Sequence, residues 1–75
     1  MSAEVVRRDE LTPHMVEWGK RDHKVIVSEE KYATITRCTL GNKYEYYIRY
    51  FECEKPVGGQ KTLSVKKVIS LVKNI

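Results

Sequence analysis

The sequence predicts an α+β fold: a small antiparallel sheet of three to four strands, a C-terminal amphipathic helix packed on one face, and a short N-terminal helical turn or arm. Three observations predict it. Residues 65–75 carry apolar side chains at helical spacing. Residues 31–39 and 43–51 are rich in β-branched and aromatic side chains, and a Gly-Asn pair divides them. The chain has 75 residues, enough for one domain with a thin core, since a chain this short buries only about 60% of its unfolded surface.

Taken in chain order, residues 1–12 show weak periodicity and are expected to be a flexible arm of a single domain spanning 1–75. Thr12-Pro13 has the pattern of an N-cap followed by proline at the first helical position, opening a short helical turn that Gly19 stops. Residues 23–27 form the first expected strand and return through Ser28, Glu29 and Glu30. Gly41-Asn42 suits a primed two-residue turn, which pairs residues whose numbers sum to 83. That register sets Ile35 opposite Ile48, Arg37 opposite Tyr46, Thr34 opposite Arg49 and Thr36 opposite Tyr47. Pro56, Gly58 and Gly59 punctuate 55–60 as a loop, with Lys61-Thr62-Leu63 as a short last strand. Ser64 is the expected N-cap of the helix. On a helical wheel Val65, Val68, Ile69, Leu71, Val72 and Ile75 fall within an arc of about 160°, with Lys66, Lys67 and Lys73 on the other side.

The helix is expected on the sheet face that collects Ile26, Ala33, Ile35, Tyr44, Tyr46, Ile48 and Tyr50. The second face carries Val25, Val27, Tyr32 and Phe51 at one end and Thr34, Thr36, Tyr47 and Arg49 toward the other. Met15, Val16 and Trp18 are expected to cover its apolar end.

Charge is spread unevenly. Residues 1–22 sum to −1 and residues 23–54 to zero, while 55–75 hold five lysines and no acid, so the whole +4 excess is C-terminal. A one-sign field on one segment attracts polyanions. No apolar run exceeds three residues, and residues 1–9 lack the apolar core of a secretory signal, so no membrane contact is expected. Two cysteines, Cys38 and Cys53, are too few for a disulfide framework and fall far apart in the proposed register. The expected compartment is therefore the cytoplasm or another reducing one.

Chemistry-bearing motifs are sparse. His14 and His23 have no ligand at metal spacing and read as surface residues. Gly58-Gly59 near Lys61-Thr62 lacks the spacing of a phosphate loop. No nucleophile has a local signature, so no catalytic residue, metal or cofactor is expected. What remains is a basic and aromatic surface. Arg49 and Tyr47, with Thr34 and Thr36 beside them, combine a donor fork, hydroxyls and a ring, the inventory for touching phosphates and base edges. The expected function is a small non-enzymatic nucleic-acid-binding protein, DNA first, acting as an accessory or regulatory factor. Its expected contacts are Lys55, Lys61, Lys66, Lys67, Lys73, Arg49, Tyr47 and Arg37. The alternative is a protein-interaction module or inhibitor that meets an acidic patch on a larger complex. A homodimer is compatible with either, because the core is thin.

Overall fold

A computed structural model describes residues 3–75. The chain runs β1 (Glu4–Arg7), a 3₁₀ turn (Arg8–Glu10), α1 (Pro13–Trp18), β2 (Asp22–Ile26), β3 (Lys31–Leu40), β4 (Lys43–Glu52), β5 (Lys55–Thr62) and α2 (Val65–Lys73). The strands form one five-stranded sheet in chain order. β1 runs parallel to β2, and every other neighbouring pair is antiparallel.

The central hairpin has the expected register throughout, from Lys31 opposite Glu52 to Leu40 opposite Lys43. Gly41 alone of the two turn residues has positive φ, at 64°, the signature of a type II′ turn with glycine first. The second tight turn, Cys53-Glu54, has positive φ at both residues, 53° and 65°, a type I′ geometry without the usual Asn-Gly. The Cys53 amide donates to the Glu30 carbonyl at 2.8 Å, which ties this turn to the neighbouring β2–β3 connection.

Both helix starts have the expected caps. The Thr12 hydroxyl accepts from the Met15 amide with Pro13 at the first turn, and the Ser64 hydroxyl accepts from the Lys67 amide. α2 presses Val68 and Val72 into the sheet, where they join Leu11, Val16, Val25, Ala33, Ile35, Tyr46 and Ile48 in one core. Burying such side chains is the dominant favourable contribution to folding.

Five features of the fold depart from the expectations. The sheet has five strands rather than three or four, because residues on both sides of the expected strands join it. Residues 4–7, placed in the arm, form β1, and its Val6 packs against the core. Residues 55–60, expected to be a loop, belong to β5. Pro56, Gly58 and Gly59 mark an edge strand, where a missing N–H or side chain is tolerated, and a register shift between Tyr50 and Phe51 absorbs the irregularity. Third, Val25 rather than Ile26 points into the core, since Val25 pairs with Ala33. The Ser-Glu-Glu connection carries no turn signature to fix that register.

Fourth, α1 lies on the same face as α2 instead of covering the other. Val16 is buried with the core, and Trp18 is left 65% exposed. A parallel β1–β2 pair needs a crossover, and the crossover carries α1 over one chosen face. Fifth, His23, expected at the surface, is 1% exposed on the covered face opposite Ile35. Its Nε2 has no hydrogen-bond partner, and burial holds its pKa below the ordinary 6.5.

Candidate nucleic-acid interface

Because side chains alternate along a strand, the register that sends Ala33, Ile35, Tyr46 and Ile48 inward sends Tyr32, Thr34, Thr36, Cys38, Tyr47, Arg49 and Phe51 to the opposite face. Both helices lie on the inward side, so this second face has no layer over it. Its middle holds two adjacent rows. Thr34, Arg49 and Gly59 lie side by side across β3, β4 and β5, and Thr36, Tyr47 and Lys61 form the next row.

Two shallow depressions flank the Tyr47–Arg49 pair. One, of about 270 Å³, is lined by Thr34, Thr36, Cys38, Tyr47 and Arg49. The other, of about 240 Å³, is lined by Tyr47, Ile48, Arg49, Gly59, Gln60 and Lys61. Both fall below the roughly 300–1,000 Å³ of small-molecule sites. Gly59 makes the second depression. A Cβ there would stand 3.0 Å from the Ile48 carbonyl oxygen and 3.6 Å from the Arg49 Cγ.

Arg49 is exposed and Tyr47 is 38% exposed. Hydrogen bonding to the Glu45 carboxylate, and that group's charge, hold the Tyr47 phenol above its ordinary pKa of 10.0. The hydroxyl therefore keeps its proton at neutral pH and directs it toward Glu45, leaving the phenol oxygen to accept. Thr36 donates at 2.9 Å to Asp22, which partly occupies the carboxylate beside the rows. Cations on this face are Arg7, Lys24, Lys43, Arg49 and Lys61, against Asp22, Glu45 and, at the Tyr32 end, Glu54.

The expected contact residues separate into three groups. Arg49, Tyr47 and Lys61 are together on the open face, and Lys55 stands at the β4–β5 turn. Lys66, Lys67 and Lys73 are exposed on α2, whose buried arc faces the sheet, so they point away from the open face. Arg37 is on the covered face. Its guanidinium donates to the carbonyls of Val16, Glu17 and Gly19 at 3.1, 2.8 and 2.9 Å and lies 5.4 Å from the Tyr44 ring centroid. It caps the C-terminal end of α1, where a cation suits both free carbonyls and the helix dipole. Lys24 and Arg7 are open-face cations that the sequence reading missed. Finding them needed the register of β2 and the existence of β1.

A larger cleft, about 560 Å³, lies elsewhere, between Arg7, Arg8, Asp9, Ile26, Val27, Ser28 and Glu29. Its charges are of both signs, and the Arg8 guanidinium already donates to the Ile75 backbone oxygen at 2.6 Å. Among the described residues, no group of three or more His, Cys, Asp or Glu side chains is placed to hold a metal ion, and no helix is long and apolar enough to cross a membrane. Comparison with protein-family models, curated proteins and solved structures yields no match for this chain.

Proposed function

We propose that this is a small non-enzymatic nucleic-acid-binding protein whose ligand lies on the open face of the sheet. Arg49, Tyr47 and Lys61 make the central contacts, Thr34 and Thr36 add hydroxyls, and Lys24 and Arg7 meet phosphates at the flank. One observation carries the reading. Two helices share one face of the sheet, and the face left bare bears five cations against three carboxylates around a block of hydrogen-bonding groups. The free thiols Cys38 and Cys53 fit a role in a reducing compartment such as the cytoplasm. Binding without chemistry fits an accessory or regulatory factor, as a monomer or a homodimer.

The test is fluorescence anisotropy on DNA and RNA over a salt series starting at about 50 mM. Affinity on duplex DNA should fall by about 0.9 log unit per log unit of salt for each phosphate neutralised, and Lys61→Ala should lower that slope by about one contact. A flat salt dependence, or no binding at the lowest salt, sinks the proposal.

The row of Lys66, Lys67 and Lys73 on the far side supports a second reading, an interaction module that docks α2 on an acidic protein surface. Recovery of one stoichiometric, nuclease-resistant partner, lost in a Lys66→Glu, Lys67→Glu variant that keeps its circular dichroism, would favour it.

A further inference from the structure

Resting on the nucleic-acid reading, we infer that the ligand is B-form duplex DNA and that β3, β4 and β5 reach into its major groove with their side chains, Arg49 at the centre. The argument begins with the rings. Proteins that hold single strands stack successive bases on exposed aromatic faces. The open face has three rings, and two of them are closed to stacking. Tyr32 and Phe51 lie face to face, 4.8 Å between centroids and 7° from parallel. Lys24 on β2 sets its Nζ 4.4 Å from the Tyr32 centroid, on the side away from Phe51, so both faces of Tyr32 are taken. Pro56 stands beside Phe51 on β5. The Tyr32 hydroxyl donates to Glu54 at 3.3 Å, which places a carboxylate at that end of the face. Only Tyr47 keeps a free ring, and one ring makes no platform for a run of bases.

The hydrogen-bonding groups have a different layout. The rows Thr34–Arg49–Gly59 and Thr36–Tyr47–Lys61 cover three strands, about 10 Å across and about 7 Å along the strands. The block's strands therefore lie across the mouth of a major groove about 12 Å wide and reach into it with their side chains, whereas a minor groove about 6 Å wide is too narrow to take both rows. Arg49 is exposed on the open face beside the side-chain-free Gly59, and its guanidinium is a planar fork, the geometry that pairs with guanine O6 and N7. Cations stand at both lateral ends, Lys24 and Arg7 beyond the block toward β1 and Lys61 as the outermost residue of its own row on β5, where two phosphate backbones would run. The major groove of an RNA duplex is too deep and narrow for side chains to read, so the same geometry disfavours RNA.

The experiment compares affinities of the whole chain for one DNA duplex, each of its strands alone, and an RNA duplex of the same sequence. The DNA duplex should bind at least about tenfold tighter than the other forms. Glucosylated hydroxymethylcytosines, which fill the major groove, should weaken binding by about tenfold, whereas netropsin in the minor groove should change it less than about twofold. Arg49→Lys should keep the salt slope and lose discrimination between sequences, since lysine keeps the charge without the fork. Single strands or RNA binding as well as duplex DNA, or displacement by netropsin, would overturn the inference while leaving the broader reading intact. Failure of every nucleic acid to bind removes both.

Discussion

At the centre of β3 and β4, burial alternates along the strand, with the covered-face side chains fully buried and their open-face neighbours half-buried or exposed. Ala33, Ile35, Tyr46 and Ile48 are buried, while Thr34, Thr36, Tyr47 and Arg49, one residue away on the same strands, are the candidate contacts. The covered face therefore maintains the fold and the open face is free to hold a ligand. The division follows from the pleat, which points successive side chains to opposite faces. Arginine shows the contrast most clearly. Arg37 and Arg49 are twelve positions apart in the sequence and on adjacent strands, yet one caps a helix and the other faces solvent.

Paired substitutions break or sharpen this comparison. The largest effect is expected from Ile48→Ala, which should cost about 2–5 kcal/mol in chemical denaturation, through lost burial and the cavity left behind. Arg49→Ala, the adjacent residue, should change stability by less than about 0.5 kcal/mol while reducing nucleic-acid affinity. Equal destabilisation by both would erase the distinction between the faces. Next, Arg37→Ala should cost about 1.5–3 kcal/mol, because three carbonyls lose a charged donor, with no loss of affinity in the folded fraction. An affinity loss with intact stability would return Arg37 to the ligand surface.

A smaller effect concerns His23. Burial, opposed by Glu4 and Asp22 and reinforced by Arg37, lowers its folded pKa below 6.5, so the unfolded chain binds the proton more readily. Its neutral form thus adds stability that is complete above pH 6.5 and lost as the pH falls toward the folded pKa. Urea midpoints between pH 7.5 and 5.5 should fall in the native protein and fall less in His23→Gln. Equal acid sensitivity would place the titrating group elsewhere. The smallest effect is at the Cys53-Glu54 turn. Cys53→Asn with Glu54→Gly should raise stability by about 1 kcal/mol, by relieving two side chains held at positive φ.

The legibility of the sequence varied by the same rules. The central hairpin could be read to the residue because two ten-residue strands alternate around a Gly-Asn turn. α2 could be read because no lysine intrudes on its apolar arc. β1 was missed because four residues carry too little pattern, and its pairing depends on a crossover. β5 was missed because proline and glycine, which end a central strand, are tolerated at an edge. That Tyr47, Arg49 and both threonines share one face followed from the hairpin register. Grouping the helix lysines with it overlooked a consequence of that same register: a helix that packs its apolar arc on the sheet turns its lysines to the far side. His23 sits between two charged neighbours, Asp22 and Lys24, which disguise a buried position in the sequence.

The parallel placement of β1 has a kinetic consequence. β2 to β5 are joined by short reversals and can zip together locally, whereas β1 reaches β2 only after the 3₁₀ turn and α1 have crossed the sheet. Its amides should therefore be the last of the sheet to close during folding and the first to exchange with deuterium in the native state. Arg7 is the last residue of that strand. A duplex whose backbone is held by Arg7 would slow the exchange of β1, so occupation of the open face should register as a delay at the molecule's least anchored edge.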